Sequence, residues 1–444
     1  MLVYSTNKMA GGLMQLVAYG AQDVYLTGNP KVTFFQAVYK RHTNFAMENI
    51  EQTVNGTASN NGRVSVTVAR NGDLIGEMYV ELVAASGLST RSGDISVLGG
   101  CWAAERAVKS VELSIGGQRI DKHYQLWWRL YSELFLDESK KAQWGKLTSK
   151  HVMAGSTQTV FLPLLFFFNR NPGLYLPLIA LQYHEVRLDF DLSSEFSLYT
   201  DGTTFKVWGN YVYLDTEERR RFAQKGHEYL IEQVQHTGSD TVTSGASRQV
   251  RLSYNHPVKE LVWCFNNGSV ANAAMWNFTS NLATSNAVVL DTDPFNVSES
   301  NNFSSITQST GAPLLVCGTQ GSGCSWSEDG AASSTRSVGP MSTVKLVLNG
   351  QDRMKEQSGK YFNQMQPYSH HTGCPYPGIY AYSFALRPEE HQPSGTCNFS
   401  RIDNAQVAVT MKGTVPDNTT MNMFATNYNV LRVQSGMGGL SFSS

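Results

Sequence analysis

Charge is scarce in this chain. Only 16% of its 444 residues are Asp, Glu, Lys or Arg, against the roughly 25% usual for soluble domains. The 35 basic residues almost cancel the 36 acidic ones, leaving a formal net charge of −1. A near-neutral chain has no global field for wrapping nucleic acid, so no specific nucleic-acid binding is expected. Cysteine is sparse as well. Cys101, Cys264, Cys317, Cys324, Cys374 and Cys397 show no CxxC spacing, which argues against a zinc finger or a dithiol redox site. Cys264 sits in the apolar pattern LVWCF, where a buried free thiol is ordinary. Long apolar runs are missing too. VFLPLLFFF at 160–168 is the longest and carries Pro163; it is too short to cross a bilayer, so the chain is not expected to span one. Residues 1–12 lack the basic start and apolar run of a signal peptide, so a chain made and kept in the cytoplasm is expected.

Catalytic motifs are also wanting. No GxSxG, P-loop, HExxH or GxGxxG stands in a supporting context, and no nucleophile–base pair suggests itself. His370-His371 with Cys374 looks like a metal cluster. It lies in the turn-rich stretch YSHHTGCPYPG without a partner pair at finger spacing, and a surface loop is the better reading. Asp189 and Asp191, two apart in RLDFDL, share one strand face and read as a solvent-facing pair. The expectation is no enzyme, no cofactor and no metal.

What is present is a sequence that repeats itself. VELSIGGQR at 111–119 returns as VKLVLNGQDR at 344–353, an offset of 233 taken from Gly117 to Gly350. SVTVARNGDLIGEMYVEL at 65–82 pairs with QVRLSYNHPVKELVWCFN at 249–266, offset 184. NYVYLD at 210–215 resembles NYNVLR at 427–432, offset 217. The matches keep their order, so one fold unit has been duplicated. The rise from 184 to 233 means that the second copy carries about 49 extra residues, within a connection spanning roughly 267–340. That insertion is rich in Ser, Asn, Gly and Thr, so an outward-facing loop is expected.

Within each copy, short strands rich in β-branched and aromatic residues alternate with Gly, Pro and Asn turns. MYVELVA, VELSI and EVRLDFDL mark the first copy; ELVWCF, TVKLVLN and AQVAVTM mark the second. Seven or eight strand candidates per copy predict an all-β chain of two antiparallel sandwiches, the jelly roll being one eight-stranded form. The predicted organisation is an arm (1–44), a first sandwich (45–222) and a second (223–444). YQLWWRLYSELFL at 124–136 is the one convincing helix, its aromatic stripe a packing surface. The charged stretch 216–229, with Arg219, Arg220 and Arg221, reads as a linker helix. In the arm, Asn29-Pro30 predicts a helix start, with Phe35, Val38, Tyr39 and His42 at helical spacing. Lys31, Lys40 and Arg41 decorate it and are candidate contacts to a partner or an anionic surface.

Asn-x-Ser/Thr occurs at Asn55, Asn267, Asn277, Asn296, Asn302, Asn398 and Asn418. Asn267, Asn277, Asn296, Asn302 and Asn398 are kept as candidate glycosylation sites. A chain so rich in Asn, Ser and Thr also produces such triplets by chance.

Longer motifs carry a family resemblance. GGLMQLVAYGAQDVYLTGNPKVTFF from Gly11, IGGQRIDKHY from Ile115 and FFFNRNPGLYLPLIALQYHEV from Phe166 resemble the major capsid proteins of the nucleocytoplasmic large DNA viruses. QPSGTCNFSRIDNA from Gln392 and NYNVLRVQSGMGGL from Asn427 extend the likeness to the second copy. The algal-virus branch is the nearest. The resemblance fails mainly at 84–107 and 268–341, and before Met9. It implies a double jelly roll whose homotrimer is a six-lobed, pseudo-hexagonal capsomer of an icosahedral virion shell. It also implies outward loops, an inward arm, and minor capsid and penton proteins as inner-face partners, with a shell that can overlie an internal membrane. Two other readings share the fold class: a glycan hydrolase with paired carboxylates, and a sugar-binding protein using Trp276 and Trp326 of the insertion.

Overall fold

The computed structural model describes residues 11–85, 102–148, 158–266, 339–375, 378–412 and 419–442. The chain divides into two compact units, Met1–Asn44 and Phe45–Ser444.

The larger unit begins with ten strands: β1 (Phe45–Gln52), β2 (Val54–Asn55), β3 (Arg63–Thr67), β4 (Leu74–Ala84), β5 (Val108–Ile115), β6 (Gln118–Tyr124), β7 (Gln158–Pro163), β8 (Leu176–Pro177), β9 (Val186–Leu192) and β10 (Thr200–Leu214). They form two antiparallel sheets, ordered β1-β10-β4-β7 and β2-β3-β9-β5-β6. Eleven more follow: β11 (His227–Val242), β12 (Ser247–Arg251), β13 (Pro257–Asn266), β14 (Met341–Leu348), β15 (Gln351–Asp352), β16 (Gln357–Ser358), β17 (Ile379–Ser383), β18 (Cys397–Asn398), β19 (Ala405–Met411), β20 (Thr419–Gln434) and β21 (Met437–Leu440). Their sheets run β11-β20-β13-β17 and β12-β19-β14-β15.

The two sets have one topology. β1, β3, β4, β5, β6, β7, β9 and β10 correspond in order to β11, β12, β13, β14, β15, β17, β19 and β20, each taking the same place in its sheet. Eight strands in two four-stranded sheets with these crossovers make a jelly roll, so the chain is a double jelly roll. Register is conserved with topology. Tyr211 faces Ile75 and Gly209 faces Met78 across a bulge; Asn427 faces Val258 and Ala425 faces Leu261, again across a bulge. The hairpin turns agree as well. Gly116-Gly117 and Asn349-Gly350 all have positive φ, as two-residue type I′ loops require.

The repeat read from sequence therefore holds, with one refinement. In β3 and β12 the buried Val66 and Val250 match at offset 184. In β4 and β13 the inward-facing pairs Met78/Leu261 and Val80/Trp263 match at 183. One residue is lost in the intervening turn, because a one-residue slip inside the strand would turn every side chain to the wrong face. Likewise β10 and β20 align at 216, from Gly209 to Ala425, rather than the 217 of the NYVYLD likeness.

The predicted helix is present as Gln125–Leu134, in the connection between β6 and β7. The linker helix is Thr216–Gln224; its Arg219 Nε lies 3.0 Å from Asp73 Oδ1. Arg220 pairs with Glu217 within the helix at 3.6 Å.

In the arm unit the helix predicted from Asn29-Pro30 does not form. Helices run Gly11–Val17 and Val24–Thr27, and Asn29 takes φ +52° as the chain turns away. Phe34 and Phe35 are 92% and 98% exposed, so no buried face stabilises a short helix there.

Candidate functional site: two equivalent sheet faces

Each jelly roll has a sheet whose inner side fills its own sandwich. The outer side of that sheet is where the two copies part company.

In the second copy both sides are buried. Along β13, Leu261, Trp263 and Phe265 enter the second core, while Val262 and Cys264 point the other way into the first copy's apolar cluster. β17 alternates likewise: Tyr380 faces in, Ile379 and Ala381 face out. β20 contributes Phe424, Leu431 and Val433 to the shared side. Covering them is the Gln125–Leu134 helix. Its Trp128 is fully buried. Arg129 stacks on the Trp102 ring at 3.6 Å and pairs with Glu133 at 2.8 Å and Glu105 at 3.4 Å. So anchored, the helix offers Trp127 to Phe424 with ring centroids 5.7 Å apart. Tyr124, just before it, meets His236 at 5.0 Å, and Phe135, just after it, meets His371 at 5.2 Å.

Polar contacts lock the seam. Arg170 reaches Glu232 at 2.9 Å, and Lys259 reaches the same carboxylate at 2.7 Å. Burial alone would raise the Glu232 pKa, but these two cations outweigh it and hold the carboxyl below its ordinary value. Burial pushes Glu260 up, the neighbouring His371 notwithstanding. Backbone bonds add register: Val234 N donates to Asp121 Oδ1 at 3.0 Å, and Gly373 N donates to Leu134 O at 2.9 Å.

In the first copy the equivalent outer side is only half covered. Tyr79, Glu81, Phe161 and Trp208 are half-buried; Met47, Asn49, Glu51 and Glu77 are exposed. These side chains are nevertheless ordered against one another. Trp208 Nε1 donates to Glu81 Oε2 at 2.6 Å, Asn49 Nδ2 to Tyr79 Oη at 2.8 Å, and Tyr79 meets Phe161 edge-on at 5.5 Å. By register, Trp208 opposite Tyr79 corresponds to Phe424 opposite Val262. One face of the duplicated unit is therefore a seam and its twin is an aromatic surface rimmed with carboxylates. A half-covered sheet face that mixes aromatic rings with a polar rim has the make-up of a protein contact surface.

The residues singled out from sequence fall elsewhere. Lys31, Lys40 and Arg41 are exposed in the arm unit. Asn55 and Asn398 are exposed, and Asn398 Oδ1 accepts from Ser400 N at 3.0 Å. Asn267, Asn277, Asn296, Asn302 and Asn418, with Trp276 and Trp326, lie outside the described residues. His370 is on the surface, its Nδ1 3.1 Å from Leu386 O. His371 is not: it is buried in the seam, 3.5 Å from Glu260 and from Glu389. Asp189 is buried too, not solvent-facing, and is paired to Arg63 and Arg187. No group of three or more His, Cys, Asp or Glu suited to a metal occurs among the described residues. Cys264, Cys374 and Cys397 are free thiols. No helix among the described residues is long and apolar enough to cross a membrane. Sequence reading missed the seam entirely, although the unbroken apolar run of β13, buried on both sides, was its signal.

Fold and faces define a class, tandem jelly rolls docked sheet against flank. Comparison with known proteins narrows it. Residues 218–439 match the family of large eukaryotic DNA virus major capsid proteins, and residues 33–215 match the major capsid protein N-terminus. The major capsid protein of Paramecium bursaria Chlorella virus 1 is 43% identical, with 98% of this chain and 100% of that one aligned. That of Phaeocystis pouchetii virus is 39% identical over the same shares. The crystal structure of PBCV-1 VP54 has a TM-score of 0.73 at 39% identity, covering 93% of this chain and 100% of that one. The Faustovirus major capsid protein shares the fold, with a TM-score of 0.63 at 12% identity. The chain belongs to the family of large eukaryotic DNA virus major capsid proteins. The glycan-hydrolase alternative gains no support from these relatives.

Proposed function

We propose that this chain is the tile of an icosahedral virion shell, acting as a homotrimer with no catalytic role. The observation that carries the reading is the half-covered outer face of the β1-β10-β4-β7 sheet, whose twin in the second copy is fully covered. Two equivalent lobes per chain and three chains about an axis give six lobes and a near-hexagonal outline. The contact is heterologous and closes after three steps. An obligate interface of this kind buries on the order of 2,000 Å² or more. Kinship to proteins named as major capsid proteins and likeness to a chain of the PBCV-1 virus capsid support the shell.

Within that reading, the working units are the arm (1–44) and jelly rolls at 45–222 and 223–444. The arm, with Lys31, Lys40, Arg41 and its exposed aromatics, is proposed to meet minor capsid and penton proteins on the inner side. The 267–340 insertion is proposed to face outward, where glycans would be tolerated, whereas Asn398 pairs with Pro257 at the other end of β13 from Asn266 and is the weaker glycan candidate. Synthesis and assembly are assigned to the host cytoplasm. Light scattering tests the core claim: the purified protein should weigh three times the 49.1 kDa chain and show hexagonal outlines by electron microscopy. A monomer, or a twofold dimer at all concentrations, defeats it.

A further inference from the structure

The seam inside the chain is a template for the contact between chains. Conserved register allows the covering helix of the first copy to be located in the second, in the helical segment made of Tyr361–Met365 and Gln366–His370. His123 and Tyr124 pair with Val111 and Ser110; Gln357 and Ser358 pair with Val344 and Thr343. Carried forward at that offset of 234, Trp128 corresponds to Phe362, and both are fully buried. Trp127 then corresponds to Tyr361, and Tyr131 to Met365. In the first copy this face of the helical segment lies against the second copy's sheet. In the second copy nothing described in the chain lies over it: Met365 is 53% and Tyr368 85% exposed.

The molecule thus carries two surfaces, each the twin of one half of its own seam, and neither is fully covered. We propose that Tyr361, Met365 and Tyr368 of one chain seat on the Tyr79, Phe161 and Trp208 face of a neighbouring copy. This assignment rests on the trimeric reading above. Charge agrees with it. Lys355, Glu356 and Lys360 are exposed beside the helical segment, and Glu51, Glu77 and Glu81 with Lys206 border the sheet face; a net basic rim against a net acidic one steers and registers such contacts. Composition agrees as well. Tyr361 and Met365 stand where the internal seam has Trp127 and Tyr131, and Ser358 stands where it has Tyr124. A smaller and more polar contact suits two chains that fold before they meet.

The test is site-directed photo-crosslinking of the full chain. p-Benzoylphenylalanine replaces Tyr368, which its exposure permits, and mixed isotope labelling marks crosslinks between chains. The expected products join position 368 to peptides within 74–84, 158–163 or 200–214 of another chain. A companion variant, Met365→Glu with Tyr368→Glu, should weaken self-association more than tenfold while leaving the circular dichroism spectrum unchanged. Crosslinks to other strands, or a double variant that still trimerises like the parent, would overturn this assignment and leave the trimer standing. A parent protein that never trimerises overturns both.

Discussion

β4 and β13 are the same strand twice, and they have different surroundings. In β4, Met78, Val80, Leu82 and Ala84 point into a core, while Glu77, Tyr79, Glu81 and Val83 point outward toward solvent. In β13 the counterparts of the outward set are Glu260, Val262 and Cys264, all buried. Backbone register is unchanged between them. The duplicated unit thus presents one face closed against the other copy and one left half open. Where the half-covered face has Glu81 and Tyr79, the covered face has Cys264 and Val262, with less charge and bulk where a second layer lies against it. The half-covered face carries aromatic and acidic residues, a mixture that a partly solvated surface tolerates.

The sharpest way to break the comparison is a matched pair of truncations. Phe424→Ala removes a ring that is 1% exposed between the sandwiches, and should cost roughly 4 kcal/mol in urea unfolding. Trp208→Ala, its twin on the half-covered face, should cost about 1 kcal/mol within the isolated chain. Equal costs would mean that the two faces are energetically alike and the distinction fails.

Next comes the buried charge. Glu232→Ala strands Arg170 and Lys259 without their shared carboxylate, and should cost about 3 kcal/mol. Its register twin is Met47, exposed on β1. Met47→Ala should stay within about 0.5 kcal/mol. Thermal midpoints of the two variants measured side by side decide it.

A smaller effect is expected from backbone crowding. A Cβ on Gly373 would lie 2.3 Å from Glu133 O and 2.7 Å from Leu134 O, at the end of the covering helix. Neither atom is a flexible tip, so Gly373→Ala should force the seam apart by a fraction of an ångström and cost about 1–3 kcal/mol. Faster amide exchange confined to β13, β17 and the Gln125–Leu134 helix would locate the damage. Exchange unchanged there would refute the assignment of this glycine to seam closure.

Much of this architecture was legible in the residues, and its limits are instructive. Gly117-Gln118 and Gly350-Gln351 revealed the duplication because a two-residue turn with positive φ accepts few residues. Alternation in SVTVA and the aromatic stripe at 124–136 gave strand and helix type correctly. The seam stayed hidden because it joins residues far apart in sequence, Trp127 to Phe424 and Arg170 to Glu232. His371 looked like loop surface for the same reason: its neighbours Glu260 and Phe135 come from other elements. The arm helix from Asn29-Pro30 failed where local signals had no burial behind them. Register, too, escaped by one residue, since turn lengths are free to change while strand faces are not.

Acid acts on the covered face through a histidine. His236 belongs to the covered face, stacked on Phe424 at 4.5 Å and edge-on to Tyr124 at 5.0 Å. Its Nδ1 lies 3.0 Å from Met423 O. Burial lowers its pKa below the ordinary histidine value, and the backbone bond offsets this only in part. The folded chain therefore holds fewer protons than the unfolded chain between that lowered value and about 6.5. Stability from a neutral His236 is present above that range and is lost as pH falls through it. Glu232 works in the same direction lower on the scale, its contribution disappearing as pH drops below the ordinary carboxylate range. Glu260 opposes them, because a raised carboxyl takes up a proton more readily when folded. Against that background, which the raised Glu105 shares with Glu260, urea stability measured at pH 7.5 and 5.5 should drop less, or rise more, on acidification in His236→Gln than in the parent. A variant with the same slope as the parent would remove His236 from the account and leave the fall to His256 and His391, whose pKa values burial also lowers.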